Sequence, residues 1–186
     1  MCIRDSLCTF FACALFCAVD VRAQQTPLSG AAFIAVCKES MTLAVYDFNS
    51  CRLAVYPIAC GRALGNKEKP GDMKTPEGLF SVQQIQDASA WTHDFGDGKG
   101  EIRGAYGSHF IRLKTPGHRG IGIHGTHDPA SIGTRATEGC VRLNNSDLLE
   151  LVKKYVYVGM PVVILTSEAD LSLIHISEPT RLQLIS

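Results

Sequence analysis

The sequence predicts a mainly β domain with one helix before its last strand. Three observations predict it. Short runs of β-branched and aromatic residues alternate with clusters of Gly, Pro, Asn, Asp and Ser. Only one segment, residues 147–155, combines helical apolar spacing with capping signals. With 46% apolar and 19% charged residues, the composition is that of a chain that buries a core and not of a disordered one.

The elements follow in order. Residues 33–36, 42–46 and 52–59 read as strands of consecutive hairpins, separated by Lys38-Glu39-Ser40 and by Asp47-Phe48-Asn49-Ser50. Pro57 marks an edge or a bulge, because it brings no N–H to a ladder. Residues 61–78 form a turn-rich loop and 79–85 the next strand. Residues 87–107 are rich in Gly and polar residues and hold the single Trp, Trp91. A connection of that length in a compact domain points to a lid or binding loop. Residues 110–113 and 120–124 are strands. Asn145 or Ser146 caps the helix, whose Asp147 comes early and whose Lys153 and Lys154 come late, as the helix dipole favours. Residues 158–165 close as a buried strand.

The two ends of the 186-residue chain are set aside. Met1-Cys2-Ile3-Arg4-Asp5 and Leu171-Ser172-Leu173-Ile174-His175 can be encoded by reverse-complementary DNA. Such an inverted repeat resembles translated sequencing-adapter sequence, so residues 1–6 and 171–186 are excluded from fold reasoning. Residues 7–23 read as a truncated signal peptide. The apolar run 7–19 is too short to span a bilayer comfortably, and Val21-Arg22-Ala23 suits cleavage before Gln24. A lipoprotein is the alternative, although neither Cys13 nor Cys17 has a good lipobox. Residues 24–30 form a leader and 31–166 a single folded domain.

This trimming changes the cysteine reading. Eight Cys suggest a disulfide scaffold, but Cys2, Cys8, Cys13 and Cys17 fall in the excluded segments. Cys37, Cys51, Cys60 and Cys140 remain. The first three either include one disulfide or are all reduced. The balance of 18 Lys and Arg against 18 Asp and Glu stays even, because the excluded segments hold as many basic residues (Arg4, Arg22, Arg181) as acidic ones (Asp5, Asp20, Glu178). It carries no polybasic footprint for nucleic acid.

Chemistry concentrates in Ile123-His124-Gly125-Thr126 and Thr137-Glu138-Gly139-Cys140-Val141-Arg142. A cysteine nucleophile needs a base to form its thiolate, and the base needs a third group to orient it. A His at a strand end and a Cys in a Gly-flanked turn meet that need. Spacing alone leaves Cys140 open as a nucleophile or a buried apolar residue.

The full pattern resembles the YkuD-type L,D-transpeptidase catalytic domain. Thr75-Pro76-Glu77-Gly78-Leu79-Phe80 is similar to its Thr-Pro-x-Gly-x-Phe signature. Ala105-Tyr106-Gly107 is similar to the segment before its core strand, the His and Cys stretches to its active-site box, and Val158-Gly159-Met160-Pro161-Val162-Val163 to its last strand. The resemblance implies a mixed β-sandwich. It also implies that Cys140 is the nucleophile, His124 the general base, and the Gly125 carbonyl the group that orients His124. The Gly139 and Cys140 amides become the oxyanion donors. Arg142, Thr126, Thr137 and Tyr106 become substrate-contacting residues, with Arg142 either meeting a substrate carboxylate or shaping the turn. The implied substrates are peptidoglycan stem peptides, as donor and acceptor, with carbapenems as inhibitors and no cofactor. The implied location is exported, periplasmic or associated with the cell wall.

One position departs from the family pattern. Ser-His-Gly-Cys is usual, and Glu138 stands here in place of the auxiliary His. A carboxylate beside the nucleophile disfavours the thiolate unless a cation such as Arg135 or His127 faces it. Other residues admit other roles. Trp91, Tyr106 and His109 are candidates for the groove, and His118 is a turn residue. His124 and His127 with His93, Asp94 or His109 would make a zinc set, but no HExxH or Cys-x-x-Cys accompanies them. A metal-dependent stem-peptide carboxypeptidase and a non-catalytic wall-binding domain are the rival functions.

Overall fold

The computed structural model describes residues 32–173 except Asp97 and Lys99. The adapter-like residues 1–6, the signal segment 7–23, the leader 24–30 and residues 174–186 lie outside this range. The strands are β1 (Ala32–Cys37), β2 (Thr42–Asp47), β3 (Arg52–Gly61), β4 (Gly78–Asp87), β5 (Thr92–Asp94), β6 (Glu101–Arg103), β7 (His109–Lys114), β8 (Gly122–His124), β9 (Arg135–Thr137), β10 (Val141–Leu143) and β11 (Pro161–Leu165). Helix α1 (Asn145–Lys154) precedes β11, as expected, and a short α2 (Ala169–Leu173) follows it.

Nine strands form one mixed sheet in the order β10-β8-β7-β4-β11-β1-β2-β3-β9. Strand β10 also pairs with β3, so the sheet closes on itself. Closure removes most free edges. The β1–β11, β8–β10 and β3–β9 pairings are parallel, which makes the sheet mixed. One apolar cluster collects Ile34, Val45, Ile58, Ile111, Ile123, Val141, Leu143 and Ile164 with Leu148 and Leu151 of α1. On β1 the alternate residues Phe33 and Ala35 face outward, where Val163, Tyr46, Phe48 and Leu171 cover them. Both faces of β1 are therefore buried, which explains its unbroken apolar run.

Pro57 sits where the β2 ladder ends, opposite Thr42, and where β3 takes up β10 from Ile58 onward. The Ile58 amide points back to Met41 O, at 2.9 Å, so the proline nitrogen faces the other side and interrupts no bond to β2. The bulge in this hairpin lies instead between Val45 and Tyr46.

Two expectations need correction. The helix begins at Asn145 with Asn144 as its N-cap, not Asn145 or Ser146, and the Asn144 side chain makes no capping bond. Asn145 is engaged elsewhere, as described below. The segment 87–107 is not a plain loop, because it contains the β5–β6 hairpin. Strands of three residues around Gly96, Gly98 and Gly100 are too short to show alternation in the sequence. No described helix is long and apolar enough to cross a membrane.

Candidate active site

Strand alternation builds the site. In the β7–β8–β10 register, Ile111, Ile123 and Val141 are partners and all point into the core. Their neighbours therefore point to the opposite face: Phe110 and Arg112 from β7, Gly122 and His124 from β8, and Cys140 and Arg142 flanking Val141. Phe110 is the cross-strand partner of His124, and their rings stack with centroids 5.7 Å apart and planes 7° apart. The Arg112 guanidinium lies 5.1 Å over the Phe110 ring. Gly122 leaves room there, since a Cβ at that position would collide with Phe110.

His124 is 3% exposed, and its Nδ1 lies 2.7 Å from the Gly125 carbonyl oxygen. A carbonyl can only accept, so Nδ1 carries the proton and Nε2 keeps the free lone pair. Burial pushes the His124 pKa down to about 3, against the pull of that hydrogen bond, so the imidazole is neutral near pH 7.

Cys140 is partly exposed, and its thiol donates to Gly120 O at 3.4 Å. Burial pushes the thiol up to about 11, with Glu138 adding to the rise. The Gly122 amide, Arg112 and Arg142 oppose it. The resting pair is thus a thiol and a neutral imidazole on one face, the thiol in the turn before β10 and the imidazole at the end of β8.

The backbone around this pair is held by side chains assigned to substrate in the sequence reading. Thr137 Oγ1 donates to Cys140 O at 2.6 Å and accepts from the Gly139 amide at 3.2 Å. The Gly139 amide is therefore engaged here, by a long bond. Gly139 has φ +138°, and a Cβ there would sit 2.8 Å from Lys74 O, so only glycine fits the turn. Thr126 is clamped by Asn145, which accepts its amide and donates to its carbonyl, both at 2.9 Å. The Thr126 hydroxyl accepts from the Asp128 amide at 2.8 Å. The Tyr106 main-chain carbonyl accepts from the Gly125 amide at 2.7 Å, and its ring lies against His124 at 4.9 Å. Burial raises the Tyr106 phenol, with Cys140 and Glu138 adding to the rise. Arg142 is 4% exposed, donates from Nη1 to Ser131 Oγ at 2.9 Å and lies over Phe95 at 5.8 Å. These contacts fit the turn-shaping role, while its buried Nε has no hydrogen-bond partner.

The loop 61–78 stands behind the turn. Asp72, nearly buried, accepts from Lys67 Nζ at 2.7 Å and from the amides of Glu68, Lys69 and Lys74. Burial alone would raise its carboxyl, but these donors hold it well below the usual carboxylate range. Thr75 Oγ1 accepts the Gly61 amide at 2.9 Å. Lys38, 1% exposed, pins the loop through Gly65 O, Thr75 O and Glu77. The Thr75-to-Phe80 signature is thus the fastening of a loop whose Lys74 carbonyl abuts Gly139.

The hairpin covers the front. Trp91 packs on Tyr106 and Phe110, and His93 on Tyr106 and Phe95. Glu138 faces neither Arg135 nor His127. Its Oε2 lies 3.4 Å from His93 Nε2. Arg135 instead donates to Lys38 O, and His127 packs on Phe95. His109 pairs with Ser108 and His118 closes a turn with Thr115. Among the described residues no three His, Cys, Asp or Glu side chains gather as a metal set, and the candidates for zinc are dispersed over these other partners. Cys37, Cys51, Cys60 and Cys140 are all free thiols.

Asn145, Phe110 and Arg112 were missed as site residues by sequence reasoning, and His93 was weighed only as a metal ligand. For Phe110 and Arg112 the signal was the alternation of β7, which puts both on one face, opposite His124 and Gly122 of β8.

The sequence profile described as the L,D-transpeptidase catalytic domain, YkuD, matches residues 31–164. A Bacillus licheniformis protein named as L,D-transpeptidase YkuD is 31% identical over 118 residues, covering 63% of this chain and 56% of that one. The chain thus spans little more than half the length of that relative. Bacillus subtilis YqjB, named as an L,D-transpeptidase, is 30% identical over 159 residues, 83% of this chain and 84% of that one. The crystal structure of L,D-transpeptidase 3 from Mycobacterium tuberculosis in complex with a faropenem-derived adduct superposes with a TM-score of 0.53 at 17% identity. It covers 72% of this chain and 60% of that one, and shows likeness of fold.

Proposed function

The chain belongs to the YkuD family of L,D-transpeptidase catalytic domains, and from that premise we propose that it is a cysteine acyl-transferase acting on peptidoglycan stem peptides. The observation that carries the reading is the 2.7 Å contact of His124 Nδ1 with the Gly125 carbonyl, which leaves Nε2 free as a base on the face that Cys140 shares. Cys140 attacks the carbonyl carbon between the L-centre of the third stem residue and the D-amino acid at position four. The thiol proton passes to His124 Nε2 as the C–S bond forms, because neither group is charged beforehand. His124 then protonates the departing D-amino acid, and a thioester remains on Cys140.

The amides of Gly139 and Cys140 stabilise the oxyanion once Thr137 yields its long bond from Gly139. Tyr106 lines the donor side, while the buried Thr126, Thr137 and Arg142 shape it by holding the backbone around Cys140 and His124. Attack by an amine of a second stem gives a 3–3 cross-link. Attack by water gives L,D-carboxypeptidase activity, and attack by a free D-amino acid gives exchange. No cofactor enters these steps. Carbapenems acylate the same sulfur, a proposal in keeping with the faropenem-derived adduct on the tuberculosis enzyme. The substrate's location and the apolar run at 7–19 support export to the periplasm or cell wall, with a lipoprotein as the alternative.

Incubation with tetrapeptide stems tests the reading. The protein is expected to release the terminal D-amino acid and to form 3–3 dimers. Cys140→Ala is expected to abolish both, and His124→Ala to slow both about a thousandfold. Undiminished D-amino acid release by Cys140→Ala contradicts it.

A further inference from the structure

Glu138 is the residue of the active-site turn that the reaction above does not use. It lies two residues before Cys140, its side chain is 41% exposed, and its charge acts on both Cys140 and Tyr106. A free carboxylate at this place works against thiolate formation, so its presence calls for another role. Its Oε2 is 3.4 Å from His93 Nε2. That His belongs to the hairpin that closes over the site, and it is the one described side chain at ion-pair distance from Glu138. His93 in turn is braced by Phe95 at 4.5 Å and Tyr106 at 5.6 Å. That contact turns the carboxylate toward the hairpin at the mouth of the site.

We propose that Glu138, positioned by His93, is the acceptor-binding residue, which draws an ammonium group to the thioester and takes its first proton. The inference rests on the acyl-transfer reading above. The acceptor approaches as R–NH3+. Glu138 attracts it by charge and accepts one proton, leaving R–NH2 with a lone pair. The nitrogen attacks the thioester carbonyl carbon, and the C–N bond forms. The C–S bond breaks, and a second proton from nitrogen passes by way of His124 to the Cys140 sulfur. The products are the amide, a thiol and a neutral Glu138 carboxyl, which loses its proton to water. Water carries no charge for the carboxylate to attract, so Glu138 concentrates the ammonium acceptor over water and biases the thioester toward aminolysis.

The test uses the full chain, loaded with a tetrapeptide stem, and reads the ratio of aminolysis to hydrolysis. Two nucleophiles are compared at neutral pH: a stem peptide with a free side-chain ammonium, and hydroxylamine, which is uncharged. With the ammonium acceptor, Glu138→Gln is expected to lower the ratio about tenfold and to raise the acceptor KM more than it lowers kcat. With hydroxylamine the ratio is expected to stay within about twofold. His93→Ala is expected to give a smaller loss with the ammonium acceptor, rescued in His93→Gln, which keeps a donor toward Glu138. An unchanged ratio in an acylating Glu138→Gln protein, or an equal fall with both nucleophiles, overturns this proposal alone. A wild-type protein that forms no thioester overturns the acyl-transfer reading and this proposal with it.

Discussion

At the scale of single residues, the site depends on side chains that never need to touch substrate. Asn145 holds both backbone groups of Thr126, and its Oδ1 occupies the space that a Cβ at Gly107 or Gly125 would need. It thereby sets the position of the Gly125 carbonyl that orients His124. Asn145→Ala removes two largely buried hydrogen bonds and is predicted to destabilise the fold by about 1–3 kcal/mol. Chemical denaturation checks the stability, and a fall in kcat at unchanged KM checks the positioning role. The thiol makes a second prediction. With Cys140 pushed up to about 11 and His124 pushed down to about 3, no imidazolium stands near neutral pH to stabilise a thiolate. Alkylation of Cys140 by iodoacetamide in the free protein is predicted to climb steadily from pH 7 to pH 10. Peptide mapping separates it from the exposed Cys51. A plateau already reached at pH 7 contradicts the resting thiol–imidazole pair.

At the scale of elements, the loop 61–78 and the β5–β6 hairpin confine the Cys140 turn from two sides. The loop depends on Asp72, which draws Lys67 and three amides together. Asp72→Asn keeps the shape but leaves the Lys67 ammonium buried without its counter-charge. The variant is predicted to melt at lower temperature and to acylate more slowly, since Lys74 O no longer braces Gly139. Thermal unfolding and a single-turnover acylation rate check the two effects. The sign with pH follows from the carboxyl, held below its usual range in the folded state. Its contribution is complete above the unfolded value near 3.8 and is lost as the pH falls through the lower folded value. At neutral pH the wild-type advantage over Asp72→Asn is therefore full.

How much of this was legible in the sequence varies by element. Strands β1 to β4 and β7 were readable from short β-prone runs bounded by turn residues, because burial on one or both faces dictates their composition. The placement of His124 and Cys140 on one face was readable only through the family pattern, since the parallel β8–β10 pairing joins residues 18 apart with no local signal. The β5–β6 hairpin was not readable, because its three-residue strands are held by aromatic packing on Tyr106 and Phe110 and not by a strand pattern. The partner of Glu138 was not foreseen for the same reason: His93 reaches it only because that hairpin folds back.

At the scale of the molecule, closure of the sheet through β3–β10 fixes the site. Arg142 and Leu143 pair with Ala59 and Ile58 on one side while Arg142 and Val141 pair with His124 and Ile123 on the other. The strand that follows the nucleophile is thus locked between two neighbours, and the turn bearing Cys140 has no slack. The opening count of eight cysteines contracts to four free thiols in the folded domain, of which one lies on the face of His124. The central claim is that this thiol becomes acylated. The most direct measurement is the intact mass of the reduced, folded protein after exposure to a carbapenem or a tetrapeptide stem. The predicted result is a single covalent adduct that maps to Cys140 and is absent in Cys140→Ser. A folded protein that gains no mass, or an adduct that survives Cys140→Ser, contradicts the account.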